Sequence, residues 1–275
     1  MIRIIEPETL DRMMERFVNQ NGFPPISEDA ADGFRTALFR DDEDVFAATD
    51  GEAVTGLYRV IILPEDRYIE LKTGFSACEP AAADLIACLT DAYPGFHADF
   101  VFPPSDLFLR NALAKAGASF LPIQKKMVFT HSFQRMETPN VRTLPPEYRE
   151  AYIDMHEKDM YWTGNRVIEA TDRFRTYIAL EEGELAGYID VTIKFEENEP
   201  YDLYVKPGSR RKGLGRQLLS RALEENEPNG MLLFVDEDNG PALRLYESMG
   251  FRYEESGDLV TAQLELGTGG KHGIE

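Results

Sequence analysis

Cysteine and positive charge are scarce in this chain, and no apolar run approaches the ~20 residues needed to cross a bilayer. Cys78 and Cys88 are its two cysteines, too few for a disulfide framework and consistent with a reduced, cytoplasmic setting. The opening "MIRIIEPETLDRMMERF" turns acidic at Glu6, unlike a secretory leader. With 29 Lys and Arg against 49 Asp and Glu, the formal net charge is -20. Such a field repels nucleic acid and favours a cationic partner. The four histidines are scattered, and His156-Glu157 does not continue into a metal-binding helix motif. "DEDNG" (236–240) has its glycine one position early for a calcium loop and lacks the distal glutamate, so no metal is implied.

What is present is a 43% hydrophobic composition in 275 residues, enough for one large core or two ordinary ones. The chain repeats itself. "VFAATDGEAVTGLYRV" (45–60) and "YIALEEGELAGYIDVT" (177–192) are both apolar runs joined through an acid-Gly-Glu turn, the pattern of a hairpin. "DLFLRNALAKAGASF" (106–120) parallels "NGPALRLYESMGFRY" (239–253), each an amphipathic helix closed by a glycine and followed by a strand. The offset is about 130 residues, a domain-sized duplication. Polar residues and Pro139, Pro145 and Pro146 place the boundary at 136/137, giving domains 1–136 and 137–267 and a flexible tail 268–275. Each half reads strand, helix, helix, hairpin, strand, helix, strand, helix, strand. The fold class is therefore α/β, in two tandem domains, each a twisted mixed sheet with helices on both faces.

Against the overall charge, "LYVKPGSRRKGLGRQLLSRAL" (203–223) gathers Lys206, Arg210, Arg211, Lys212 and Arg216 with no acid among them. "YDLYV" alternates as a strand, and Leu214, Leu218, Leu219 and Leu223 have helical spacing. The basic, glycine-containing loop thus lies between a strand and a helix N-terminus, where amides and the helix dipole favour an anion. Gly213 and Gly215 let backbone approach a phosphate. Leu214 after Gly213 breaks a nucleotide triphosphate loop, and Leu218 stands where a dinucleotide fingerprint needs its third glycine.

The stretch resembles the pyrophosphate loop of the GNAT superfamily of acetyltransferases, Arg/Gln-x-x-Gly-x-Gly/Ala, through Arg210, Gly213 and Gly215 after the strand "LYV". A second family segment is matched by Asn239, Ala242, Tyr246, Gly250 and Phe251 in "NGPALRLYESMGF". The resemblance covers residues 139 to 266 well and the first half in outline. It implies an N-acetyltransferase that takes acetyl-CoA as co-substrate without a metal, acting on a small-molecule amine; a non-catalytic acyl-CoA-binding or regulatory module is the alternative. It also implies that backbone of Leu203 and Val205 pairs with the pantetheine and that amides from Arg211 through Lys212, Gly213, Leu214, Gly215 and Arg216 hold the pyrophosphate. Tyr246 would protonate the leaving thiolate. Asn239 either hydrogen-bonds the coenzyme or caps the following helix. Asp202, before "LYV", is the candidate general base, with Glu199 and Asp190 as further candidates. "HEKDMYWTGNRVIEATDRF" (156–174) matches the acceptor-recognition region, with Tyr161 and Trp162 as aromatic walls for a cation beside Glu157 or Asp159, or as core cover.

In the first half the matching loop is "TGFSACEPAAADLIACL", with Ala77, Cys78, Glu79 and Pro80 in place of the basic glycines and Leu113 in place of Tyr246. Glu79 would repel a pyrophosphate and Pro80 has no amide to offer. This copy is expected to keep the fold, leave the coenzyme unbound and cover the active half, as a second subunit does in dimeric relatives. The chain is expected to be a monomer or weak homodimer.

Overall fold

A computed structural model describes residues 2–130, 132–156, 162–254 and 257–267. Its strands are β1 (Ile2–Ile4), β2 (Glu43–Asp50), β3 (Ala53–Leu63), β4 (Tyr68–Ser76), β5 (His97–Phe102), β6 (Ser119–Phe120), β7 (Gln124–Phe129) and β8 (Val141–Thr143). They continue as β9 (Phe174–Glu181), β10 (Glu184–Thr192), β11 (Glu197–Asn198), β12 (Pro200–Val205), β13 (Gly230–Asp236), β14 (Phe251–Tyr253) and β15 (Val260–Glu265). The helices are α1 (Leu10–Asn21), α2 (Glu28–Ala37), α3 (Glu79–Ala92), α4 (Leu107–Ala116), α5 (Arg149–Met155), α6 (Gly164–Glu169), α7 (Leu214–Asn226) and α8 (Gly240–Ser248). This is the expected α/β element order in each half, with the short β6, β11 and β14 added.

The chain divides into one unit of Met1–Ile123 with Asp258–Glu275 and a second of Gln124–Gly257. The division differs from the boundary read at 136/137, because each half gives its last strand to the other unit. β7 pairs with β13 and β14 in the second unit, from Leu232↔Val128 to Asp236↔Gln124 and from Phe251↔Phe129 to Tyr253↔Met127. β15 inserts between β5 and β6 in the first, from Val260↔Phe102 to Glu265↔His97. A proline-rich stretch marks where a chain leaves regular structure; it does not say which sheet the preceding strand joins. The tail from residue 268 lies outside the described residues.

The first unit is a seven-stranded sheet in the order β1-β2-β3-β4-β5-β15-β6. α1 buries Leu10, Met13, Met14 and Phe17 at helical spacing and, with Phe34 of α2, covers the face carrying Val45, Ala47 and Leu57. α3 and α4 cover the other face with Leu85, Leu89, Leu109 and Leu113. Fully burying side chains such as Phe17 or Phe34 contributes about 2 kcal/mol each. α4 begins where the Asp106 carboxylate accepts the Leu109 amide at 2.9 Å.

The second unit comprises sheets β12-β10-β9-β8 and β11-β13-β7-β14, joined through the consecutive strands β11 and β12. α7 lays Leu214, Leu218, Leu219, Ala222 and Leu223 on one face, against Tyr177, Ile189 and Val191. Tyr152 of α5 lies in the core of the other face with Ile178, Leu180, Leu185 and Tyr188. The β9–β10 hairpin turns through Glu182 and Gly183, at φ 54 and 87, the left-handed pair of a tight two-residue turn. Gly187 is required by close approach, since a Cβ there would stand 2.5 Å from the Tyr204 carbonyl oxygen of β12.

Candidate active site

The basic stretch folds as expected, strand to loop to helix. β12 ends at Val205, residues 206–213 form the loop, and α7 starts at Leu214. Arg211 and Gly213 both take left-handed backbone, at φ 62 and 83. For Arg211 that conformation costs about 1 kcal/mol, a local strain of the kind that marks sites. Gly213 occupies the helix N-cap position without a side-chain cap, and Gln217 N–H is already bonded to its carbonyl at 3.0 Å. The amides before Gln217 at the helix start are therefore available to an anion. A Cβ on Gly213 would meet nothing within 4 Å, so the approach to this turn is open.

The cations divide by role. Lys212 Nζ pairs with Glu181 at 2.6 Å, and the Ser209 hydroxyl donates to the same carboxylate at 2.7 Å, which pins the loop to the end of β9. These two contacts, Lys212 first, hold the Glu181 carboxyl below its usual range. Arg210 Nε donates to the Val205 carbonyl at 2.9 Å, and Arg216 donates to Ser248 Oγ at 2.7 Å. Arg210 and Lys212 thus shape the loop through contacts within the protein.

Beside this loop the sheet opens. β11 and β13 run parallel and pair at Glu197↔Gly230 and Asn198↔Met231. Past that point β12 remains bonded to β10, from Asp190↔Asp202 to Gly187↔Val205, while the next pairing of β13 is with β7 on its far side. Lys206 N–H donates to the Ala186 carbonyl, so by alternation the amides of Leu203 and Val205 face away from β10, into the opening. The vertex is fixed by two buried amides the sequence reading passed over. Asn198 donates to Asn226 at 2.8 Å, and Asn226 donates to the carbonyls of Asn229 and Gly230 at 3.0 Å. Across from β12, Tyr246 of α8 is 8% exposed, its ring edge-on to Phe251. Burial first, then the charges of Asp202 and Glu199, raise its hydroxyl pKa and keep it a proton donor.

A splayed parallel strand pair, an anion loop on a helix start and a tyrosine held protonated beside them coincide with a known profile: residues 141–251 match the Acetyltransferase (GNAT) family. This segment belongs to the GNAT family. The chain is 36% identical over 89 residues to a mycothiol acetyltransferase of Streptomyces avermitilis, covering 30% of this chain and 29% of that protein. It is 31% identical over 83 residues to the [ribosomal protein bS18]-alanine N-acetyltransferase of Escherichia coli, 29% of this chain and 56% of the relative. The chain therefore aligns with well under two thirds of either relative. Among solved structures, a GCN5-related N-acetyltransferase from Sphaerobacter thermophilus superposes over 97% of this chain and 95% of its own, with TM-score 0.63 at 14% identity. A tandem GNAT protein from the clavulanic acid biosynthesis pathway covers 98% of this chain and 99% of its own, with TM-score 0.58 at 15% identity. The GNAT fold thus extends over both halves.

On the face of the GNAT domain opposite α7, Asp202 sits in a polar cluster. Tyr188 donates its hydroxyl to Asp202 Oδ2 at 2.6 Å, and His156 Nε2 lies 3.6 Å from the same oxygen. Beneath it Asp190, fully buried, accepts from Thr176 at 2.5 Å, Tyr152 at 2.9 Å and His156 Nε2 at 3.1 Å. Burial first, and then the neighbouring carboxylates, push the Tyr152 and Tyr188 hydroxyl pKa values up. Asp202 is half-buried, whereas Asp190 is sealed off from solvent. Sequence reasoning weighed His156 solely as a metal ligand and missed Tyr152, Thr176 and Tyr188. The signal was the acid in "GYIDVTI", where Asp190 falls on an inward-facing strand position.

Asn239 accepts the Ala242 amide at 3.2 Å, so it serves as the α8 cap. Trp162 packs edge-on to Phe174, with the Arg173 guanidinium 4.9 Å from its ring centroid. The cation on that ring is the protein's own. Tyr161, Glu157 and Asp159 lie outside the described residues.

In the first half the corresponding connection is no loop at all. β4 ends at Ser76 and α3 begins at Glu79, with Ala77 and Cys78 between them. Glu79 and Pro80 occupy the first turn of α3, where Glu79 pairs with Lys115. Leu113 is fully buried in the core. Tyr58, also fully buried, has its hydroxyl 3.1 Å from Ser76 Oγ at the end of β4.

Proposed function

We propose that the C-terminal half transfers the acetyl group of acetyl-CoA directly to a small primary amine, as an N-acetyltransferase. The observation that carries this reading is the opening between β12 and β13, bordered by the left-handed loop at the start of α7, Tyr246 and Asp202. The coenzyme supplies an activated acetyl thioester. Amides at the start of α7 bind its pyrophosphate, and the outward-facing backbone of Leu203 and Val205 takes the pantetheine amides. An alkylammonium has a pKa near ~10, so its proton must be removed before attack. Asp202 accepts that proton, the amine nitrogen forms a bond to the thioester carbonyl carbon, the carbon–sulfur bond breaks, and Tyr246 gives its proton to the departing sulfur.

Asp202 and the negative field favour a cationic acceptor such as an amino sugar, a polyamine or an amino-acid derivative. Recognition of that cation by Trp162 is not part of the proposal, since Arg173 covers the ring. The N-terminal half, with its two-residue connection at Ala77 and Cys78, binds no coenzyme and has a structural role. A panel of primary amines offered with acetyl-CoA, followed by release of thiol, tests the activity. Amine-dependent thiol release supports it. Tight binding of acetyl-CoA with no release for any amine would favour the non-catalytic binding module.

A further inference from the structure

The Asp190–His156 pair has no part in the chemistry above, yet it is costly to keep. Asp190 is 0% exposed and His156 3% exposed, and buried ionisable groups lower stability unless closely paired. Asp190 is an acceptor for Tyr152 and His156 at Oδ2 and for Thr176 at Oδ1. The hydrogen in the contact with His156 therefore sits on Nε2, which points between Asp190 and the 3.6 Å distant Oδ2 of Asp202. The ring is packed between neighbours. Tyr188 stacks on it at 5.2 Å and 14°, Tyr152 meets it edge-on at 5.5 Å, and its Cβ lies 3.1 Å from where a Cβ on Gly164 of α6 would stand.

We propose that His156 is a positioning residue for Asp202: its imidazolium, held by Asp190, fixes the Asp202 carboxylate and keeps it able to accept the amine proton. The inference rests on Asp202 as the general base. The ligand atoms of His156, Asp190 and Asp202 lie within 4.8 Å of one another. Two carboxylates that close oppose each other's ionisation, and a cation between them relieves the repulsion. Among the described residues, the groups facing the imidazole are Tyr152 from α5, Thr176 from β9, Asp190 and Tyr188 from β10, and Asp202 from β12. Of this cluster, His156 is the one that can carry positive charge between the two carboxylates. The same three ligand atoms would suit a divalent metal, but a nitrogen whose hydrogen is donated to Asp190 has no lone pair to offer one.

The test is the pH profile of kcat/KM with acetyl-CoA and the best amine of the panel. His156→Gln keeps an amide donor and removes the charge. It is expected to move the acid limb up by about one pH unit and to cost about tenfold at pH values below that limb, with recovery at higher pH and an unchanged KM for acetyl-CoA. A uniform loss at every pH would make His156 merely structural and overturn the proposal. Asp202→Asn separates the two readings. If it leaves rate and profile unaltered, the base assignment itself fails. If it abolishes the limb that His156→Gln leaves in place, the His156 role alone fails. Should the glutamine variant not fold, 15N imidazole shifts of the wild-type protein decide: an imidazolium persisting above pH 7 is expected, and a neutral ring at pH 7 would overturn the proposal. Activity lost to a chelator and restored by Zn2+ would overturn it as well.

Discussion

Two levels of strand pairing, one in each half, occupy the same place in the fold. Gly56 pairs with Ser76 at the end of β4, and Gly187 with Val205 at the end of β12. Three residues on, Arg59 stands opposite Thr73 in the first half and Asp190 opposite Asp202 in the second. Beside the former is Val45, paired with Arg59 across β2 and β3, and Arg59 is bonded to the buried Glu43 at 2.5 Å. Around the latter are Tyr152, Thr176, Tyr188 and His156. The parallel strands differ too. β4 and β5 stay paired from Tyr68↔His97 to Leu71↔Phe100, whereas β11 and β13 part after Asn198↔Met231. One scaffold therefore accepts an Arg–Glu pair or a cluster of His, Asp, Tyr and Thr at this level. The candidate site arises with a lengthened loop, an earlier parting of strands and a buried His156–Asp190 pair, where the first half has a two-residue connection, longer strand pairing and the Arg59–Glu43 pair.

The largest expected effect concerns the exchanged strands. A fragment of residues 137–267 lacks β7, and a chain ending at residue 257 lacks β15 from between β5 and β6 of the first unit's sheet. Either loss should be comparable with a domain's whole stability, about 5 kcal/mol or more. Near-UV circular dichroism and denaturant titration should show no native transition for the 137–267 fragment. A cooperatively folded fragment would show that the halves are complete without exchange.

Next in size is the chemistry at Tyr246. Tyr246→Phe should lower kcat by about ten- to a thousand-fold with coenzyme affinity nearly unchanged, since it removes the proton and keeps the ring. An unaltered rate would leave Tyr246 as packing, equivalent to Leu113 in the first half. Buried polarity gives a smaller difference. Asp190→Ala strands the donors of Tyr152, Thr176 and His156 and should cost about 3 kcal/mol in chemical denaturation, against about 1 kcal/mol for Tyr58→Phe, which removes one hydroxyl contact.

The smallest effect is on alkaline stability. Tyr152, Tyr188, Tyr246 and Tyr58 all have pKa values raised first by burial. The unfolded chain then loses tyrosine protons before the folded one does. Their contribution is complete below the ordinary tyrosine value of about 10 and declines as pH rises above it. Melting temperatures measured from pH 8 to 11 should fall steeply only at the upper end, and less so in Tyr188→Phe.

What could be read in the sequence was local. Arg210, Gly213 and Gly215 are adjacent in the chain, the strand before them alternates, and Tyr246 lies on a helix with its own cap. A short window therefore contained the loop, its backbone demand and its helix. The strand exchange was invisible because Met127 and Phe129 alternate equally well for either sheet, and only nonlocal pairing selects between them. The Asp190–His156 contact joins the residue just after α5 to a distant strand, and no spacing rule connects them. In the first half Glu79 and Pro80 were read as a damaged loop. The helix begins there instead, since Pro80 suits a first turn and Glu79 complements the helix dipole.

The most direct test of the asymmetry between the halves is the calorimetric stoichiometry of acetyl-CoA on the full chain, repeated with Gly215→Glu at the start of α7. The account expects one site per chain in the original protein and none in the variant. Two sites in the original, or one surviving in the variant, would place coenzyme in the first half and contradict it.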